Sequence, residues 1–289
     1  MSQGYSDHFF TTVDGPRLHY RDYAPVGDPR GVPVLCLHGL TRNVRDFEEL
    51  APRLAMLGRR VIVVSQRGRG RSDPDPQAER YQPLTYAVDM VGLLDALKVE
   101  RAVFIGTSMG GLMTMLIAAQ QPERIAAAII NDIGPEIAEA GLSRIKANVS
   151  VREPVTSWDD AAARSRESNL AAFPKRSDDR AFWLDFAHKT WIEAAERRIE
   201  PDYHAPIVAQ IDTSDVAPDL WPLWEPFKAF PTLLVRGGVS DLLTPETVAE
   251  MKRRKADLEY VEVPDIGHAP FMTEPEAWAA IEAFMKRVD

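Results

Sequence analysis

The stretch Val103–Gln120 reads VFIGTSMGGLMTMLIAAQ. It opens as an apolar strand and closes as an apolar helix, and the change falls within Gly106-Thr107-Ser108-Met109-Gly110. A chain that passes from strand to helix in so few residues brings the two backbones very close. Glycines two residues to either side of Ser108 meet that need, because a side chain there would collide where strand and helix pass. The serine at the apex then takes a strained backbone conformation, with its hydroxyl clear of the sheet. No G-x-x-x-x-G-K-[ST] pattern accompanies the turn, so a phosphate-cradling loop is the poorer reading.

Around this turn the chain alternates apolar runs with helical patterns. GVPVLCLHG, RRVIVVSQRG, RAVFIG and RIAAAIIND read as buried strands. Phe47 to Gly58, Leu84 to Leu97 and Gly110 to Gln120 read as helices between them. Continuous apolar strands separated by helices predict an α/β fold, a mostly parallel sheet with helices on both faces. Residues Phe9 to Ala24 predict a hairpin turning at Asp14-Gly15. From about Gly134 to Pro218 no clear strand is visible, and the segment reads as several helices carrying Trp158, Trp183 and Trp191. The alternation then resumes with PTLLVRGG, a helix at Pro245–Lys255, LEYVEVP and a helix at Glu274–Val288. The expected organisation is a core of residues 1–134 and 218–289 with a helical cap inserted at 135–217.

The chain has 289 residues, 45% hydrophobic and 27% charged, with a formal net charge of -9. This acidity argues against a nucleic-acid surface or a polybasic membrane patch. No apolar run is long enough to span a bilayer, and the first residues do not read as a signal peptide. A cytoplasmic location is the expectation. The single cysteine, Cys36, lies inside an apolar run and reads as a small buried hydrophobe rather than a nucleophile.

A serine hydroxyl needs a base to attack a carbonyl at neutral pH. Of six histidines, His268 in VPDIGHAPFMTEP falls between the last strand and the last helix, at the C-terminal edge of a parallel sheet. The base needs an orienting carboxylate. Asp241, in LLVRGGVSDLLTPE, follows the preceding strand and gives the chain order Ser108, Asp241, His268. The rival is Asp132 in IINDIGPE, after the strand that follows the serine helix. Its plainer reading is a turn or helix-capping residue. The oxyanion of an attacked carbonyl requires preset donors. The backbone N–H of Met109, aided by the helix dipole, and that of Leu40, after Gly39, are the candidates. His38 reads mainly as shaping this loop.

These residues together resemble the α/β-hydrolase superfamily. His38-Gly39-Leu40 is similar to its oxyanion loop, Gln66–Asp73 to its strand-four loop, GTSMG to its nucleophile elbow, GGVSD to its acid loop and GHAP to its histidine loop. The resemblance covers the chain outside roughly 135 to 217. It implies a Ser-His-Asp machine that needs no metal or organic cofactor and acts on a small molecule. Ser65 and Arg69 depart from the usual Asp and His of the strand-four loop and are read as changes in loop packing. A serine nucleophile argues against haloalkane dehalogenases and epoxide hydrolases, whose nucleophile is Asp. The leading expectation is hydrolysis of a small carboxylic ester or lactone. The alternatives are carbon–carbon bond cleavage in a diketone-like substrate, a peroxide-using haloperoxidase-type reaction, and a ligand receptor on a hydrolase fold. For the pocket, His38, Trp183, Trp191 and Trp221 are the candidate residues. Trp183 and Trp191 are spaced for one helix face, with Phe182 and Phe186 near them, and Trp221 and Trp224 lie where the insertion returns to the sheet. Arg42 and Arg45 lie beside the oxyanion loop, where they either meet a substrate carboxylate or face solvent. The sequence pattern does not set the oligomeric state.

Overall fold

The computed structural model describes residues 4–150, 153–209 and 219–288. Its strands are β1 (Ser6–Thr11), β2 (Arg17–Tyr23), β3 (Val34–Leu37), β4 (Val61–Val64), β5 (Ala102–Thr107), β6 (Ile125–Asn131), β7 (Trp191–Glu193), β8 (Ile199–Pro201), β9 (Thr232–Gly237) and β10 (Glu259–Val263). The helices are α1 (Leu50–Met56), α2 (Pro83–Ala96), α3 (Met109–Gln120), α4 (Glu139–Ser150), α5 (Trp158–Asn169), α6 (Arg180–Thr190), α7 (Pro206–Ala209), α8 (Trp221–Trp224), α9 (Pro245–Arg254) and α10 (Pro275–Met285). Eight strands form one sheet in the order β1-β2-β4-β3-β5-β6-β9-β10. The hairpin β1–β2 is antiparallel and joins β4 in the antiparallel sense, and from β4 to β10 the strands run parallel.

The central strands read as unbroken apolar runs because both of their faces are covered. Side chains alternate across a strand, so each run feeds two cores. Leu35, Leu37, Ile62, Val64, Phe104 and Ile130 enter one, packed by Met90 and Leu93 of α2 and Met113 and Ile117 of α3. Val34, Cys36, Val61, Val63, Ile105 and Ile129 enter the other, packed by Leu50 and Leu54 of α1 and Ile281 and Phe284 of α10. Each fully buried aliphatic or aromatic side chain contributes about 1.5–3 kcal/mol, so the two layers clamp the sheet between them. Cys36 is buried in the second core, and burial pushes its thiol pKa up.

Between β6 and β9 lies a separate unit with its own small core of Ala161, Phe173, Trp183, Phe186, Trp191 and Ile199. It is mostly helical, but β7 and β8 form an antiparallel pair within it, which corrects the expectation of helices alone. Trp191 begins β7, so the spacing from Trp183 does not continue along one helix. The expected junction at 217/218 falls at residues 210–218, outside the described residues. No helix among the described residues is long and apolar enough to cross a membrane.

The inserted unit is tied to the sheet edge at several points. The N–H groups of Ala138 and Gly141 donate to the carbonyls of Leu242 and Asp241 at 3.0 and 3.1 Å. Gly267 N–H donates to the Ala172 carbonyl at 2.7 Å, and His204 N–H to the Gly68 carbonyl at 2.7 Å. Asp202, buried in the inserted unit, accepts from Asn43 at 3.1 Å and pairs with Arg45. Arg45, a candidate for substrate contact on sequence grounds, is therefore engaged in holding the insertion down.

Candidate active site

Ser108 caps the N-terminus of α3 at φ 52°, ψ -114°, a left-handed conformation that a side chain adopts only under strain. The flanking glycines allow it. A Cβ on Gly106 would lie 2.4 Å from the Gly110 carbonyl oxygen, and one on Gly110 would lie 2.2 Å from that of Leu37. Neither backbone has room to move.

His268 Nε2 lies 2.9 Å from Ser108 Oγ. Its Nδ1 lies 2.8 Å from Asp132 Oδ2, and the Asp132 side chain is completely buried. Asp132 follows β6, the immediate neighbour of β5, so its carboxylate stands beside the nucleophile strand. It also takes a left-handed backbone, φ 55°. Its Oδ1 accepts from Gly237 N–H at 2.8 Å, and its Oδ2 also accepts from the Ser240 hydroxyl at 2.7 Å. These donors fix the plane of the carboxylate.

Asp241 is not the partner of His268. Its two carboxylate oxygens accept from Nε and Nη2 of Arg144 on α4, at 2.6 and 2.8 Å. The Arg144 hydrogen bonds hold its pKa below the usual carboxylate value. The loop after β9 turns Ser240 inward to Asp132 and Asp241 outward to α4, which is the physical reason for the correction.

Leu40 lines the cavity above Ser108, and Met109 is the first residue of α3. Neither backbone N–H meets an acceptor among the described residues. The loop carrying Leu40 is held from behind. Fully buried Arg69 donates from Nε to the Leu40 carbonyl at 2.8 Å and from Nη1 to the Tyr86 hydroxyl at 2.9 Å. His38 Nε2 accepts from Gln66 N–H at 3.0 Å, and burial pushes the pKa of this histidine down to about 4. His38 is thus a neutral scaffold and does not line the cavity. Ser65 accepts from Val44 N–H at 3.1 Å. Asn131 donates to the Pro270 carbonyl at 2.8 Å and to Thr107 Oγ1 at 3.0 Å, tying the histidine loop to the elbow.

The cavity measures about 210 Å³ and is lined by Phe173, Phe186, Trp191, Tyr203 and Phe271 together with Arg42 and Arg144. Of the four tryptophan and histidine candidates, Trp191 alone lies on this wall. Trp183 turns into the inserted unit's core, its Nε1 donating to the Arg176 carbonyl at 2.6 Å. Trp221 lies under Arg254, 4.2 Å from ring centre to guanidinium carbon. Phe173 and Phe271, stacked at 5.3 Å, were missed because neither belongs to a motif or a helical stripe.

A profile of the alpha/beta hydrolase fold matches residues 32–275. The chain belongs to the α/β-hydrolase family. Over 285 residues, 96% of each chain, this α/β hydrolase is 33% identical to the 3-hydroxybutyrate-oligomer hydrolase of Cupriavidus necator. It is 28% identical to the 2-(acetamidomethylene)succinate hydrolase of Mesorhizobium japonicum over 275 residues, 94% of this chain and 93% of the relative. The crystal structure of an α/β hydrolase from Novosphingobium aromaticivorans superposes on it with a TM-score of 0.91 at 42% identity, over 99% of both chains.

Proposed function

We propose that this α/β hydrolase cleaves a small carboxylic ester or lactone through an acyl-enzyme on Ser108. The observation that carries the reading is the unbroken hydrogen-bond chain from Ser108 through His268 to buried Asp132, at the floor of a cavity. Ser108 Oγ forms a bond to the carbonyl carbon while its proton passes to His268 Nε2. Asp132 orients the imidazole and stabilises its positive charge. The oxyanion accepts from the N–H groups of Leu40 and Met109, each worth roughly a hundredfold or more in rate. Collapse breaks the carbon–oxygen bond to the alcohol, which leaves with the proton from His268. Water then attacks the acyl group, gives its proton to His268, and Ser108 is restored as the acid departs. One ester and one water become one acid and one alcohol. The insertion at 135–217 acts as the cap that closes the site.

The relative from Cupriavidus necator supports the ester reading, because oligomers of 3-hydroxybutyrate are joined by ester bonds. The test is covalent. A small fluorophosphonate should label Ser108, with turnover of 4-nitrophenyl acetate or butyrate alongside. Ser108→Ala should lose roughly three or more orders of magnitude in kcat with the fold retained. Ester cleavage undiminished in that variant would overturn the assignment.

A further inference from the structure

Three arginines line the same cavity as Ser108: Arg42, Arg144 and Arg164. The acidic side chain on that wall is Asp46. Arg42 and Arg144 are anchored in the same way. Arg42 presents Nε to the Asp46 carboxylate at 2.7 Å and Nη2 at 2.6 Å, while Arg144 presents Nε and Nη2 to Asp241. In both, one edge of the guanidinium fork is occupied and Nη1 meets no acceptor among the described residues. Phe186 stacks on the Arg42 guanidinium at 4.4 Å and fixes its plane. Arg164 differs: its pairing with Glu153 is loose, at 3.6 Å, and its side chain is 42% exposed.

The aliphatic stem of Arg42 lies beside the serine turn. A Cβ on Gly39 would have Arg42 Cγ at 3.5 Å and Ser108 Cβ at 3.8 Å. The wall also carries the aromatic rings of Phe173, Phe186, Trp191 and Phe271, with Asn148 and Ser168 among its polar side chains. Each guanidinium is already paired on one edge with a carboxylate, but the Nη1 hydrogens on the other edge still need an acceptor when a substrate displaces water from the cavity. A backing carboxylate that takes one edge leaves the other edge preorganised for a second carboxylate.

Resting on the acyl-enzyme reading above, we infer that the substrate is an ester bearing a free carboxylate a few atoms from the scissile carbonyl. The Nη1 edges of Arg42 and Arg144 receive that carboxylate and set the ester over Ser108. The pair makes the enzyme selective for esters of hydroxy acids over neutral esters of the same size.

The test uses two probes of equal shape: the linear dimer of 3-hydroxybutanoic acid, ending in a carboxylate, and the same dimer ending in a primary amide. The wild-type enzyme should favour the carboxylate by about tenfold or more in kcat/KM, chiefly through KM. In Arg42→Gln and in Arg144→Gln that preference should fall towards unity. Equal wild-type turnover of the two probes would overturn the inference and leave the hydrolase reading intact. An equal loss of both probes in the variants would mark the arginines as structural and also overturn it. If neither probe is cleaved and the fluorophosphonate fails to label Ser108, the underlying reading fails and takes the inference with it. Should Arg144→Gln not fold, the wild-type preference and Arg42→Gln still decide.

Discussion

Two aspartates stand at the C-terminal ends of neighbouring strands, and their surroundings give them opposite tasks. Asp132 is sealed behind His268 with a backbone amide and a serine hydroxyl on its oxygens. Asp241 faces the insertion and is occupied by Arg144. Asp132→Asn should therefore lower kcat by about three to four orders of magnitude, because the amide favours the wrong imidazole tautomer. Asp241→Asn should stay within about tenfold of wild type. Steady-state kinetics on one ester would check both, and a reversed ranking would return the acid to the later strand. The sequence pattern shows Ser108 and His268 clearly, since each sits in a distinctive turn. It points to the wrong acid: both aspartates follow a strand and the chain order favours Asp241, whereas the selector is Arg144, distant in sequence and visible only through space. Arg69 is similar. Its departure from the usual pattern is evident, but its grip on the Leu40 carbonyl requires the fold.

Helix α4 meets the loop after β9 at Gly141, and nothing larger fits. A Cβ there would lie 2.6 Å from the Asp241 carbonyl oxygen. Gly141→Ala should push α4 outward and draw Arg144 away from Asp241. Because misplacement by about 1 Å costs on the order of a hundredfold in rate, kcat/KM for the anionic dimer should fall by roughly tenfold to a hundredfold. Labelling of Ser108 by the small fluorophosphonate should persist, and equal loss of both would place the damage in the elbow instead. At this scale the long elements were readable. Helices α2, α9 and α10 and the strands of the sheet lie within a residue or a few of their expected bounds. The pair β7–β8 was not, since three-residue strands are too short to display a period. Trp183 and Trp191 misled for a related reason: α6 ends at Thr190, so a spacing that suits a helix face spans a helix end.

Buried imidazoles contribute to the acid sensitivity of the whole molecule. His38 has a folded pKa of about 4 against roughly 6.5 in an unfolded chain, and burial lowers that of His19 as well. Between those values the unfolded chain binds protons that the folded chain excludes, so stability is complete above about pH 6.5 and falls as pH drops towards 4. For His38 alone the loss approaches about 3 kcal/mol at the acid end. Denaturant midpoints at pH 7 and 4.5 should show it, and His38→Asn should narrow the gap; an unchanged gap would remove His38 from the account. The placement of the acid after β6 has a wider consequence. On the proposed mechanism proton handling is confined to the sheet edge, and the inserted unit is left to recognise the substrate. Substrate range can then drift by changes in the insertion while the chemistry beneath it stays constant, so one scaffold can be retuned by selection or design without being rebuilt.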